Sequence, residues 1–143
     1  MRKGIEFGNK NEWCGNFTGI DISPKTIERA KEHLVQKNVK LICADFGEYV
    51  FECKYDVIYS SLTFMHFHNT LAVMKKISNL LSENGHFVLS IDKNPNEYID
   101  AGNRRVKIYP DNRDEITECI EKARLKLKKR FETEFAHIFI VEK

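Results

Sequence analysis

The sequence predicts an α/β fold with a mostly parallel sheet that is covered by helices and ends in an antiparallel strand pair. Short apolar runs alternate with amphipathic stretches along the 143 residues, a pattern typical of parallel strands joined by helical crossovers. The last two strand-like runs, about 125–132 and 136–141, are separated by too few residues for such a crossover. They should therefore pair as an antiparallel hairpin.

The strands are predicted from short β-rich or continuously apolar runs, as expected for strands that are buried on both faces. They are expected, before the final hairpin, at 17–22, 39–44, 55–61, 86–92 and, more briefly, 106–109.

Three helices are predicted from capping residues and from apolar positions on one helical face. The first begins at Pro24 after an N-cap at Ser23 and runs to about residue 37. The second spans about 69–82, and Gly85 is expected to end it in the left-handed conformation. Asp111 or Asp114 is expected to cap the third, and the polar stretch 93–105 before it is expected to be a surface loop.

Charge and cysteine usage exclude several function classes. The net charge is only +2, which gives no electrostatic reason to expect nucleic acid or an anionic membrane as a partner. No apolar run approaches the ~18 residues that a membrane span needs. The cysteines have no CxxC spacing, so no metal is implied, and a soluble protein of the reducing cytoplasm is expected. The scattered thiols are Cys14, Cys43, Cys53 and Cys119, and the basic cluster, interpreted as a solvated face, is Arg124, Lys126, Lys128, Lys129 and Arg130.

Candidate ligand-binding residues stand where successive strands end. In open α/β sheets, ligands bind beyond the carboxyl ends of the strands. Asp21 ends the first strand and can accept hydrogen bonds from both hydroxyls of an adenosine ribose. Asp45 ends the second and can accept from an adenine amino group, while Phe46 can stack on the base. Small groups end the third strand, at Ser60, Ser61 and Leu62.

Each of these residues also has a purely structural interpretation. Asp21 could favour the dipole of the following helix, Asp45 could cap a loop, and Phe46 could be a core aromatic. His66, just past the third strand, could act as a general base, or could pack or cap at the start of the next helix. Their coincidence at consecutive strand ends favours the functional interpretation.

Four segments together resemble class I S-adenosylmethionine-dependent methyltransferases of the small-molecule type. They are residues 18–31 (TGIDISPKTIERAK), 43–46 (CADF), 55–66 (YDVIYSSLTFMH) and 80–90 (LLSENGHFVLS), and the likeness covers roughly residues 17–142. The resemblance implies a Rossmann-like fold with helices on both faces and S-adenosylmethionine as the cofactor. The cofactor-binding residues it implies are Asp21, Ile22, Ala44, Asp45, Phe46, Ser60, Ser61 and Leu62.

The N-terminal segment, residues 1–16, departs from this family's pattern. The family's first strand ends in a glycine-rich turn, whereas here only Gly4–Gly8 faintly resembles that motif. Nine residues separate Gly8 from Thr18, fewer than a parallel crossover requires. We expect one domain over 1–143 in which Lys3–Phe7 forms a substitute strand, or partner chains cover the exposed sheet edges, or the chain is a truncated form of a longer protein.

The resemblance implies methyl transfer to a small-molecule acceptor, with His66 as a candidate catalytic base. Two alternatives remain at this point. The first is a non-catalytic methyltransferase-like domain that serves in binding or assembly, which would explain the atypical N-terminal segment. The second is a nicotinamide-dependent oxidoreductase, because an acidic residue after the second strand of a Rossmann-like sheet serves that cofactor too.

Overall fold

A computed structural model describes residues 16–34 and 38–143 of the chain, which divides into two compact units, Met1–Val50 and Phe51–Lys143. The expectations for the N-terminal segment, including a substitute strand at Lys3–Phe7, concern residues that lie almost entirely outside the described ranges. The single domain over 1–143 stays a prediction.

The first unit contains a parallel strand pair joined by a helix. Strand β1 (Phe17–Asp21) pairs with β2 (Val39–Cys43), in a register that sets Asp21 opposite Cys43. Helix α1 (Pro24–His33) connects them and buries Ile27. It begins as predicted, because the Ser23 side chain accepts a hydrogen bond from the Thr26 amide, and Pro24 has no N–H that would need an acceptor in the first turn.

The second unit contains a four-stranded mixed sheet. Strand β3 (Tyr55–Ser61) pairs in parallel with β4 (Leu81–Asp92), and the last two strands of the sheet, β7 (Lys126–Glu132) and β8 (Ala136–Glu142), are antiparallel. The strand order is β3-β4-β8-β7. The antiparallel C-terminal pair and the α/β fold class are therefore confirmed.

One face of this sheet is covered by two helices, α2 (Thr70–Leu80) and α3 (Arg113–Lys122), which also contact each other. Residues that are paired across neighbouring strands share a face of the sheet. Phe87 of β4 pairs with Val141 of β8, and Leu89 pairs with Phe139, so these apolar side chains lie on one face. The fully buried side chains of this core include Phe87, Leu89 and Ile91 of β4, Phe139 and Val141 of β8, Met74 of α2, and Ile116 and Ile120 of α3.

The end of α2 differs from the prediction. The helix stops at Leu80 instead of Ser82, and the residue with a left-handed backbone is Asn84, with φ of 62°, instead of Gly85. Gly85 is required for another reason: a Cβ there would lie 2.8 Å from the Ser82 carbonyl oxygen and 3.3 Å from that of Asp56. The glycine therefore permits a close approach between backbone segments.

The stretch 93–105, predicted to be a loop, contains most of a hairpin. Strand β5 (Tyr98–Ala101) pairs with β6 (Arg104–Lys107) across a two-residue turn in which Gly102 has φ of 69°. The Arg105 guanidinium carbon lies 4.7 Å from the centre of the Tyr98 ring. The side chains of this hairpin are too polar to give a hydrophobic pattern. The strand predicted at 106–109 overlaps only the last two residues of β6.

The predicted cap of α3 was wrong. Asn112 caps the helix, since its side chain accepts hydrogen bonds from the amides of Asp114 and Glu115. Asp114 lies within the first turn, where its charge interacts favourably with the helix dipole, and Asp111 precedes the cap.

None of the helices in the described ranges has the length and the apolar composition that a membrane-spanning helix needs.

Candidate functional site

The two predicted ligand-binding carboxylates lie at the same end of the β1–β2 pair. Asp21 is the last residue of β1, and Asp45 follows the end of β2 by two residues. The Ala44 amide donates a hydrogen bond of 3.1 Å to the Asp21 carbonyl oxygen, which continues the pairing beyond the strand ends. Because the strands are parallel, both side chains extend from the carboxyl edge of the pair.

Both carboxylates also stabilise the turns in which they stand. The amide of Ser23 donates a 2.7 Å hydrogen bond to Asp21 Oδ1, and the amide of Gly47 donates one of the same length to Asp45 Oδ1. The structural roles considered from the sequence are thus present. An ionised carboxylate has about four acceptor positions. The turn bonds orient the Asp21 and Asp45 carboxylates at this edge.

The neighbouring residues give this edge a mixed surface. Ile22 is 68% exposed although it is apolar, whereas Ala44 and Phe46 are half-buried. An exposed isoleucine beside two carboxylates offers apolar contact area as well as hydrogen-bond acceptors. The first unit therefore brings together five of the eight predicted cofactor-binding residues: Asp21, Ile22, Ala44, Asp45 and Phe46.

The other three predicted residues lie at the carboxyl end of β3, in the second unit. Ser60 and Ser61 end the strand and are half-buried. Leu62 follows with a left-handed backbone, φ of 52°, and its amide donates a 2.9 Å hydrogen bond to the Ser90 carbonyl oxygen. A left-handed leucine is unusual, and such backbone strain is concentrated at functional sites. Nothing in the sequence signalled this feature.

His66 ends a short 3-10 helix, Phe64–His66, and its side chain is exposed. The chain that follows β6 lies beside this helix, because the Tyr109 amide donates a 2.7 Å hydrogen bond to the Met65 carbonyl oxygen. The rings of Tyr109 and His68 are 5.0 Å apart in an edge-to-face arrangement. Residues from two distant parts of the sequence thus meet just beyond β3.

Asp111, two residues past this contact, is a titratable group that sequence reasoning treated only as a possible cap. Burial, together with the nearby negative charge of Glu115, raises the pKa of Asp111 to about 7. Perturbed carboxyl groups are common at functional sites, although they also occur elsewhere. The sequence contains no signal for this pKa shift, since the shift comes from tertiary burial.

Comparison with known proteins supports the family suggested by the sequence motifs. Residues 5–136 match a family model described as a methyltransferase domain. A malonyl-acyl-carrier-protein O-methyltransferase from Priestia megaterium is 36% identical over 74 residues, which cover 52% of this chain and 27% of that enzyme. The matching segment thus spans about a quarter of the length of this relative.

Solved structures of low sequence identity share the fold. An S-adenosylmethionine-dependent methyltransferase from Listeria monocytogenes superposes with a TM-score of 0.79 at 15% identity, covering 90% of this chain and 80% of the other. The N-methyltransferase NodS from Bradyrhizobium japonicum, in complex with S-adenosylhomocysteine, gives 0.69 at 14% identity, with 90% and 66% covered. The family match over most of the sequence, with this shared fold, confirms the predicted resemblance: the chain belongs to the methyltransferase-domain family.

Proposed function

We propose that this chain binds S-adenosylmethionine at the carboxyl edge of β1 and β2 and takes part in methyl transfer to a small-molecule acceptor. The observation that carries the proposal is the arrangement of Asp21 and Asp45, two carboxylates on adjacent parallel strands at one edge. S-adenosylmethionine supplies an electrophilic methyl group when bound. The contribution of the protein is to hold it in line with the acceptor.

The proposed roles follow from the chemistry of each side chain. Asp21 accepts hydrogen bonds from the ribose hydroxyls and Asp45 from the adenine amino group, while Phe46 and the exposed Ile22 provide apolar surface for the base. Ala44 is a small residue directly before Asp45 and leaves room for the ligand. Support comes from the local bonds of both carboxylates, which fix their orientation before a ligand arrives.

At the end of β3, we assign Ser60, Ser61 and Leu62 to the methionine part of the cofactor. Small hydroxyl side chains leave space there and can donate hydrogen bonds to its carboxylate. The unusual backbone of Leu62 supports a functional role for this turn, since strain of this kind persists where a site requires it.

A binding experiment tests the proposal directly. Titration calorimetry with S-adenosylhomocysteine should give saturable binding to the full chain, and Asp21→Ala and Asp45→Ala should each weaken it by about tenfold or more, because each loses charge-assisted hydrogen bonds worth ~1.5–3 kcal/mol. Asp100→Ala, which removes an exposed carboxylate from β5, is the matched control and should bind as the unchanged chain does.

The absence of any heat at millimolar ligand would contradict cofactor binding. It would favour the alternative of a non-catalytic binding or assembly domain. Binding of NADH under the same conditions, without binding of an S-adenosyl ligand, would favour the oxidoreductase instead, an outcome that the family match argues against.

The role of His66 depends on the acceptor. The relative from Priestia megaterium is named for a malonyl-acyl-carrier protein, and a carboxylate acceptor is already ionised at neutral pH and needs no base. A hydroxyl or ammonium acceptor must lose a proton, for which an exposed histidine beyond β3 is suitable. His66→Gln should therefore lower kcat for a protic acceptor by about a hundredfold or more and leave kcat unchanged for a carboxylate.

We further propose a cytoplasmic protein that can associate with itself through the edge of its larger sheet. The free thiols of Cys43, Cys53 and Cys119 are compatible with a reducing compartment. Within the described ranges, β3 forms one edge of the four-stranded sheet, and Val57 on it is 64% exposed. Light scattering should show an oligomer that Val57→Lys dissociates, since a lysine opposes pairing at a strand edge; a monomer at all concentrations would contradict this.

A further inference from the structure

A surface pocket of about 200 Å³ lies in the second unit, and none of the residues assigned to the cofactor is among those that line it. Two arginines from different elements line it: Arg113 is the first residue of α3, and Arg130 lies on β7. The remaining lining residues are Phe131, Glu132 and His137. The basic cluster on β7, interpreted from the sequence as a solvated face, thus contributes one member to a concave site.

A short chain of hydrogen bonds holds the two arginines near one another. Arg130 Nη1 donates to Thr117 Oγ1 at 3.4 Å, and this hydroxyl donates to the Arg113 carbonyl oxygen at 2.8 Å. Residues four apart share a face of a helix, so the guanidinium of Arg130 lies about one turn from Arg113. Both positive groups consequently converge on the same small volume.

Glu132 is the carboxylate among the lining residues, and it is paired with the ammonium group of Lys93. Glu132 Oε2 lies 3.0 Å from Lys93 Nζ, and this hydrogen-bonded lysine lowers the pKa of Glu132. Glu132 is also 3.5 Å from His137 Nδ1. The Arg113 guanidinium makes an exposed contact of 3.8 Å with the adjacent Asp114, a kind of pair that contributes little.

The charged groups around His137 show that the pocket has a positive electrostatic potential. Burial lowers the pKa of its imidazole, and the positive charges of Lys93, Arg113 and Arg130 lower it further, whereas Glu132 acts in the opposite direction. The imidazole is therefore surrounded by more positive than negative charge.

We propose that Arg113 and Arg130 form a binding site for a phosphate group. The planar guanidinium matches phosphate oxygens in bidentate geometry, and two such groups from separate elements can hold one phosphate from two sides. A pocket of about 200 Å³ accommodates a phosphate with part of the molecule that carries it.

The position of the pocket connects this site with the proposed methyl transfer, and this step rests on the proposed function. His137 pairs with Ile91 near the carboxyl end of β4, so the pocket lies at the same edge of the sheet as the end of β3. Three strand spacings separate β3 from β7 in the sheet order, which corresponds to about 14 Å. An acceptor with a phosphate at about that distance from its methylated atom could occupy both sites.

Nuclear magnetic resonance of the full chain tests the phosphate site without measuring activity. Titration with inorganic phosphate and with glycerol 3-phosphate, at constant ionic strength in chloride, should give saturable shifts of the His137 ring signals. The pKa of His137 should rise on binding, because a dianion favours the imidazolium. Stronger binding of the ester indicates a phosphorylated ligand, and equal or weaker binding indicates free phosphate; either supports the site.

Matched variants distinguish a built site from general attraction. Arg113→Met and Arg130→Met should each weaken phosphate binding by about tenfold or more, while Lys126→Met, which removes an exposed cation of β7 outside the pocket, should have no effect. Equal weakening by all three variants, or no saturation at tens of millimolar phosphate, would overturn the proposal. Asp45→Ala should leave phosphate binding intact, so a failure of cofactor binding and a failure of this site are distinguishable.

Discussion

The two units differ in how much of their apolar surface they bury. Among the residues that the structure describes, Ile27 is the one buried apolar side chain of the first unit, and all five residues of β1 are only half-buried. The second unit has a continuous core between its four-stranded sheet and two helices. Yet the carboxylates proposed to bind the cofactor lie in the first unit.

This difference suggests a division of roles. The second unit supplies stability, since hydrophobic burial is the main favourable term in folding. The first unit positions Asp21 and Asp45 mostly through backbone hydrogen bonds and turns. Ligand-binding regions are commonly drawn from the less stable parts of a fold, so we expect the first unit to be the less stable of the two.

The largest expected effect is on the core of the second unit. Phe139→Ala should lower the free energy of unfolding by ~3–5 kcal/mol, because this fully buried ring contacts the core and its loss leaves a cavity. Phe135→Ala removes a ring that is 72% exposed, directly before β8, and should change the free energy of unfolding by less than ~0.5 kcal/mol. Denaturant titration measures both, and similar losses would refute the assignment of the core.

The next effect concerns Asp111 and depends on pH. Its pKa of about 7 lies above the unfolded value near 3.8, so the folded state binds the proton more tightly. Its contribution to stability is full at pH values below 3.8 and is lost as pH rises through about 7. The free energy of unfolding of Asp111→Asn, taken relative to that of the unchanged chain, should therefore be higher at pH 8 than at pH 5. The expected increase is ~1–2 kcal/mol after allowance for partial solvent exposure.

Urea titrations at both pH values measure this difference. Asp114→Asn is the control, because it removes a carboxylate with 78% side-chain exposure from the same helix end. Its stability relative to the unchanged chain should be alike at the two pH values. If the relative stability of Asp111→Asn is also alike at the two pH values, burial does not raise the pKa of this carboxyl.

The smallest expected effect compares helix caps in the two units. Ser23 caps α1 and Asn69 caps α2, each by accepting an amide hydrogen bond. Substitution of either cap by alanine should lower the stability of its helix by ~1 kcal/mol. Hydrogen exchange should accelerate through Ile27 and Ala30 in Ser23→Ala, whereas Met74 and Ile77 should stay protected in Asn69→Ala, because the core holds α2. Equal acceleration in both helices would contradict the contrast between the units.

The sequence predicted those features that local chemistry determines. The Ser23–Pro24 start of α1 and the apolar run of β4 follow from capping and from continuous hydrophobicity. The antiparallel end follows from connection length alone. The positions of Asp21 and Asp45 at one edge follow from the parallel pairing of the strands they end, which the alternating pattern indicated.

The features that were missed depend on tertiary contacts or on backbone geometry. The hairpin of β5 and β6 is too polar to give an alternating signal, and the left-handed backbones at Leu62 and Asn84 have no glycine to mark them. The perturbed pKa of Asp111 and the pocket lined by Arg113 and Arg130 arise from residues that only the fold brings together. Sequence motifs identified the family, but they did not indicate these sites.

Cofactor binding at the edge of β1 and β2 can be measured residue by residue from amide shifts on addition of S-adenosylhomocysteine. We expect the largest shifts among the described residues at 21–23 and 44–47, at this edge, with smaller ones at 60–62. Shifts confined to other parts of the second unit, with residues 21–23 and 44–47 unchanged at saturation, would contradict cofactor binding at this edge.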